Sequence, residues 1–146
     1  AGKVLTMAGS RYVLVEFSPE IPYESLRAGL YRVYAGGYQP ILAHADRVNT
    51  LTDRPDRLAE LCDMGICVQV NIGSVRSDST RHVRKFVKNA LEHGLVHFLA
   101  TDAHHEDRRT PDMAEDIRCL KKKYGEGLLR ELMAENQAKV IAGEMI

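Results

Sequence analysis

Three apolar runs in this chain end in side chains of the kind that bind divalent metals. Val13 to Phe17 carries Glu16, Pro40 to Ala43 is followed by His44, and Phe98 to Ala100 is followed by Asp102 and His104. Runs this apolar read as strands buried on both faces, where an unpaired carboxylate or imidazole costs on the order of several kcal/mol of lost hydration. A divalent ion compensates both groups at once, because it takes carboxylate oxygen and imidazole nitrogen as ligands. Such a centre offers Lewis acidity and the activation of water near neutral pH.

The elements that must position these groups can be read from spacing. A hairpin-like opening over Val4 to Met7 turns at Gly9-Ser10 and feeds a strand from Tyr12 to Phe17. A helix from about Pro22, with Leu26, Leu30 and Val33 on one face, stops at Gly36-Gly37. The strand Pro40 to Ala43 leads through a polar loop to a helix opened near Asp53 and Pro55, which turns Leu58, Leu61 and Cys62 inward and stops at Gly65. Strand Ile66 to Ile72 follows. The next helix has Val83, Phe86, Val87, Ala90 and Leu91 at i, i+3, i+4, i+7 and i+8, and Gly94 closes it. After strand Leu95 to Ala100, a helix starts at Thr110-Pro111 with Met113, Ile117, Leu120 and Tyr124 aligned, and two short helical pieces follow Gly125.

Strand and helix units in this order predict an α/β fold with a mainly parallel sheet, either doubly wound or part of a β/α barrel. A whole barrel takes about 250 residues, so residues 1–146 read as a single domain that is a portion of one. The barrel is favoured because Glu16, His44, Asp102 and His104 fall at or just past strand C-termini, where barrels place their active sites.

Composition bounds the partners. Twenty basic and twenty acidic residues leave no net charge, which argues against nucleic acid or an anionic membrane surface as the main partner. The three cysteines, Cys62, Cys67 and Cys119, lack CxxC spacing and read as free thiols of a reducing compartment. No apolar run is long enough to span a bilayer and no signal peptide is visible, so the expected location is the cytoplasm. A cysteine phosphatase needs Cys-x5-Arg, and none of the cysteines has arginine six residues on.

The segments LVEF, PILAHADR, QVNIGS and FLATDAHHEDRR, in that order with helices between them, resemble the later portion of the polymerase-and-histidinol-phosphatase (PHP) superfamily. The resemblance is strongest to the bacterial CpsB/CapC-type manganese-dependent tyrosine phosphatases of capsule and exopolysaccharide operons, and it runs from Tyr12 to about Ile141. It implies a distorted, TIM-like β/α barrel with metal ions at its C-terminal mouth, manganese first and iron or zinc as alternatives. By the same resemblance Glu16 is a bridging carboxylate, His44, Asp102 and His104 are metal ligands, and Arg47 and Arg109 hold the phosphate. The implied partner is a phosphotyrosine protein, namely a bacterial tyrosine kinase of polysaccharide export.

The departures are as informative. The family opens with His-x-His, which occurs nowhere among the six histidines here. The expectation is therefore that this polypeptide alone binds metal weakly and turns over little substrate, while a longer parent is the enzyme. A sheet edge left open in that way invites pairing with another copy. Ala45, Asp46 and Val48 replace the family's usual Pro, Glu and Tyr, which bears on substrate preference. Other readings remain open at this stage. Glu16 also fits an exposed edge-strand position, His44 a loop cap, and Arg47 and Arg109 solvated charges, while Asn71 and Ser74, at the end of the third strand, either line the pocket or make the turn, with the turn favoured. Histidinol-phosphate or another phosphoesterase activity, a non-catalytic PHP module and a metal-free binding protein all fit the same elements.

Overall fold

The computed structural model describes residues 5–76, 79–101 and 113–146. Strands β1 (Tyr12–Val15), β2 (Gln39–Leu42), β3 (Cys67–Asn71) and β4 (Phe98–Ala100) form one parallel sheet in the order β1-β2-β3-β4. The crossovers carry α1 (Tyr23–Ala35), then a short α2 (Asn49–Thr52) with α3 (Asp56–Asp63), then α4 (Arg81–Glu92). Beyond β4 lie α5 (Met113–Tyr124), α6 (Glu126–Arg130) and α7 (Asn136–Ala142), the last two joined by a π-helical turn at Glu131–Glu135.

Side-chain alternation along the strands explains the layers. Val15, Leu42, Val68, Val70 and Leu99 pack with Leu26 and Leu30 of α1, Leu58 and Leu61 of α3, Phe86 and Val87 of α4 and Leu120 of α5. The opposite face carries Tyr12, Ile41, Cys67 and Phe98, which meet Val140 of α7 in a smaller cluster. The crossover helices thus share one side of a sheet whose strands run in sequential order. That is a singly wound arc, the local topology of a β/α barrel, whereas a doubly wound sheet reverses its strand order and covers both faces with crossovers. Among the described residues the arc is open, with β1 and β4 each paired on one side. No helix among them is long and apolar enough to cross a membrane.

Strand ends shift by a few residues, with β1 stopping at Val15 instead of Phe17 and β4 starting at Phe98 instead of Leu95, and three segments differ in kind from the sequence reading. The expected hairpin at the start is instead a 3-10 turn at Met7–Gly9, with Leu5 and Met7 exposed and β1 beginning only at Tyr12. The segment after β2 is no simple polar loop. It winds as a 3-10 turn (Ala45–Arg47) and then α2, because Ala45, Val48 and Leu51 all find places in the main core. The helical pieces after Gly125 run on without a break through the π-turn. The expected helix start at Thr110-Pro111 lies outside the described residues.

His97 joins three elements ahead of β4. Its N–H donates to the Val68 carbonyl at 2.8 Å, its Nδ1 accepts the Val68 N–H at 3.1 Å, and its carbonyl accepts from Asn136 Nδ2 at 2.8 Å. Burial holds the imidazole below its usual value of 6.5, against an opposing pull from Glu131. Because Nδ1 must stay unprotonated to accept, the unfolded chain takes up this proton more readily than the folded one. The stabilisation is therefore complete above the unfolded value and is lost as pH falls through the lower folded value. Urea unfolding between about pH 7.5 and 5.5 is expected to show falling stability, with a smaller fall in His97→Gln, whose side chain does not titrate. An unchanged pH slope in that variant would assign the acid sensitivity to other groups.

Candidate active site

Parallel strands put all their C-termini at one edge, and part of the predicted site assembles there. Glu16 follows β1 directly, His44 lies two residues past β2, Asn71 ends β3 and Thr101 follows β4. Strict strand alternation would give Glu16 the side of Leu14 and His44 the side of Leu42, on opposite faces. His44 escapes this by adopting a left-handed conformation, φ 32° and ψ 57°. Its N–H donates to Gln69 Oε1 at 2.7 Å and its carbonyl accepts from the Arg47 N–H at 2.9 Å, so the turn is held on both sides.

The result is a contact of 3.0 Å between His44 Nε2 and Glu16 Oε1. Adjacent ligands that each lie about 2.0–2.2 Å from one ion are separated by about this much. The two side chains therefore fit two positions of a metal shell, with Nε2 as the liganding nitrogen; Nδ1 is buried with no partner among the described residues. Burial does not explain Glu16, however. Its side chain is 73% exposed against 12% for His44, so the desolvation argument holds for the imidazole and fails for the carboxylate at the open edge. Phe17, the next residue, lays its ring on α1 at Gly29, where a Cβ would come within 2.9 Å of the ring.

Beside this pair, Asp46 is buried and accepts from the Asn71 N–H at 3.0 Å and from Ser74 Oγ at 2.5 Å. Gln69 Nε2 reaches Asn71 Oδ1 at 3.3 Å, while Asn71 Nδ2 is buried without a partner among the described residues. Asp46, Arg47, Asn71, Ser74, Arg76, His82 and Thr101 help line a cleft of about 720 Å³. Glu16 and His44 are not part of its wall; the exposed Arg47, three residues past His44, is. Arg76 is paired with Asp116 at 3.4 Å and His82 with Asp53 at 3.0 Å.

Sequence reasoning named Glu16, His44 and Arg47 as candidates, and the structure sets Glu16 against His44 with Arg47 three residues on, but that reasoning did not foresee the anchoring by Asp46 and Gln69 or the place of Arg76 in the cleft wall. For Asn71 and Ser74 the sequence left both a turn and the pocket wall open, and they do both: Asn71 precedes and Ser74 sits in the 3-10 turn Ile72–Val75, and both line the cleft. The available signal was the clustering of short polar residues just past β2 and β3. Asp102, His104 and Arg109 lie outside the described residues. Among the described residues no group of three or more His, Cys, Asp or Glu side chains is set to hold a metal. His93 caps α4 with Nδ1 2.9 Å from the Asn89 carbonyl, and His97 is partly buried against β3. Burial pushes the Cys62 thiol up to about 12 and Cys67 up to about 11, so neither is a thiolate near neutral pH.

The profile of the family described as "Capsular polysaccharide synthesis, CpsB/CapC" matches residues 1–142. The tyrosine-protein phosphatase CpsB of Streptococcus pneumoniae is 33% identical over 99% of this chain and 61% of its own length. A putative tyrosine-protein phosphatase CapC of Staphylococcus aureus is 35% identical over 94% of this chain and 53% of its own. Crystal structures of YwqE from Bacillus subtilis and CpsB from S. pneumoniae, described as unique metal-dependent tyrosine phosphatases, include a chain that superposes with a TM-score of 0.84 at 27% identity. That match covers 97% of this chain and 57% of the solved one. The chain therefore spans 61% or less of the length of these relatives.

The left-handed turn at His44 generates a stability test that is separate from any activity. His44→Gly and His44→Ala both remove the imidazole, but only glycine adopts this φ freely, at a difference of about 1 kcal/mol. Denaturant unfolding is expected to find His44→Gly the more stable of the two. The reverse order would mean that the turn relaxes when the side chain is removed.

Proposed function

The chain belongs to the CpsB/CapC family of capsular polysaccharide synthesis, and from that premise we propose that the protein hydrolyses phosphotyrosine on protein substrates with the help of divalent metal ions. The observation that carries this reading is the Glu16 and His44 pair at the strand edge, with Arg47 turned to the neighbouring cleft. Glu16 and His44 would hold metal there, together with Asp102 and His104. Divalent ions bring positive charge to the phosphoryl oxygens and acidify water to near neutrality. Manganese is the proposed metal, and the proposed substrate is a bacterial tyrosine kinase of capsule or exopolysaccharide synthesis.

The remaining chemistry belongs to the chain's own side chains. Arg47 and Arg109 present planar forks of donors that match the non-bridging oxygens of a phosphate, which a lysine ammonium does not. Asn71 Nδ2, without a partner among the described residues, is a further donor at the cleft wall. Asp46 fixes the backbone between His44 and Arg47, so that metal ligand and phosphate ligand keep one spacing. A thiol mechanism is disfavoured by the raised Cys62 and Cys67 and by the missing Cys-x5-Arg. Free thiols also suit a reducing, cytoplasmic setting. The β1 edge, open among the described residues, and the half-exposed Leu14 on that strand support self-association there.

In a protein of the relatives' full length, manganese-dependent hydrolysis of a phosphotyrosine peptide is expected, and it is abolished in His104→Ala. Arg47→Lys should lower kcat/KM by about 10- to 100-fold, the equivalent of about 1.5–3 kcal/mol for hydrogen bonds to a charged group. The 146-residue chain, with no His-x-His of its own, is expected to turn over little. Inactivity of the long protein with every divalent metal tried would overturn the proposal. Separately, iodoacetamide treatment of a Cys119→Ser protein, which removes the one exposed thiol of these three, is expected to leave turnover intact, because burial keeps Cys62 and Cys67 protonated and they take no part; stoichiometric inactivation would point back to sulfur.

A further inference from the structure

A second groove lies next to the cleft. Arg81, Arg84, Lys85 and Lys88 recur at i, i+3, i+4 and i+7, which puts them on one face of α4. With Lys123 and Tyr124 of α5 they line a groove of about 410 Å³, and no carboxylate lines it among the described residues. Lys88 reaches Glu92 at 3.8 Å, Arg84 donates to the Ser79 carbonyl, and Lys123 lies 5.0 Å over the Tyr124 ring. Arg81 and Lys85 are exposed.

This arrangement works against the helix that carries it. Like charges three and four residues apart repel, and the positive end of the helix dipole disfavours cations in the first turns. No acidic residue sits in the first turn of α4 to offset them. The chain as a whole carries no net charge, so the stripe is a local concentration rather than a general excess. An anionic partner relieves the repulsion.

The groove adjoins the cleft through shared segments. Ser74 and Arg76 line the cleft while Val75 lines the groove, and Thr80 and His82 line the cleft while Arg81 lines the groove. Resting on the reading of the cleft as a phosphotyrosine site, we propose that the groove between α4 and α5 binds an acidic stretch of polypeptide flanking that phosphotyrosine. Extended polypeptide of alternating carboxylates suits a row of cations one helix face wide. The neutral net charge disfavours duplex nucleic acid, which is held by a broad positive field.

The test has a binding arm and a turnover arm, both with the full-length protein. In the first, a fluorescent glutamate-rich peptide without phosphotyrosine is expected to bind about tenfold tighter than its glutamine counterpart at low salt. Arg81→Glu/Lys85→Glu erases that preference and Arg81→Gln/Lys85→Gln reduces it. Equal binding of the two peptides, a preference that survives in the variants, or binding of a DNA oligonucleotide as tight as the glutamate peptide would overturn the proposal. In the second arm, the ratio of kcat/KM for glutamate-flanked over glutamine-flanked phosphotyrosine peptide falls about tenfold in Arg81→Glu/Lys85→Glu, through KM. An equal fall on both peptides would overturn the proposal by marking a general structural defect. Charge-sensitive binding without hydrolysis of either peptide would support the groove and count against the phosphatase reading instead, so the two can fail separately.

Discussion

Asp46 is a carboxylate taken almost wholly out of water, 2% exposed, at the point where β2 hands over to its loop. A buried charge of this kind is tolerated only when donors surround it. The donors here are the backbone of Asn71 and the hydroxyl of Ser74, both at the end of β3. The loop after β2 is thereby tied to the loop after β3, and Gln69 adds a second tie by accepting the N–H of His44. Between those two ties lies Ala45 alone, itself in the core. The left-handed turn, the reach of His44 to Glu16 and the placement of Arg47 at the cleft all follow from this short, doubly anchored segment.

The large elements were legible because their signals are local. The apolar runs from Tyr12, Pro40 and Ile66 became β1, β2 and β3, and the spacing of Val83, Phe86, Val87, Ala90 and Leu91 gave α4 almost to the residue. The choice between a wound-on-one-side arc and a doubly wound sheet was legible too, since it rested on where the polar residues fell along the strands. The anchors were not legible. Asp46 meets partners 25 and 28 residues away and His44 meets Gln69 at a separation of 25, so no window along the chain contains both halves of either bond. The region after β2 looked like a polar loop because Asp46, Arg47 and Asn49 dominate its composition, while the buried Ala45, Val48 and Leu51 that wind it are spaced three apart. Glu16 shows the opposite error: its apolar surroundings in sequence suggested burial, yet β1 stops at Val15 and the side chain faces water.

The two faces of the sheet are finished differently. The helix-covered face is a continuous apolar core, whereas the other is closed by α7 and by the chain's last residues. Tyr12 anchors that closure, its hydroxyl donating to the Glu144 carbonyl at 2.8 Å and accepting the Ile146 N–H at 3.2 Å. Leu14, the next residue on that face, is left half exposed beside an apolar hollow lined by Ile41, Phe98 and Ile141. Polarity increases along this face toward the strand C-termini, from Tyr12 and Cys67 to Gln69, Asn71 and Glu16, so the same strands supply hydrophobic support at one end and polar side chains at the other.

Gly29 sits in the middle of α1, far in sequence from any residue that does chemistry. By helix propensity alone an alanine there would gain about 1 kcal/mol. The added methyl would meet the Phe17 ring, and Phe17 is the residue next to Glu16 in the chain. Helix stability and site geometry therefore pull position 29 in opposite directions. An engineer raising the melting temperature of this fold by filling helical glycines would be retuning, through one aromatic ring, the aim of a carboxylate on the far side of the β1 terminus.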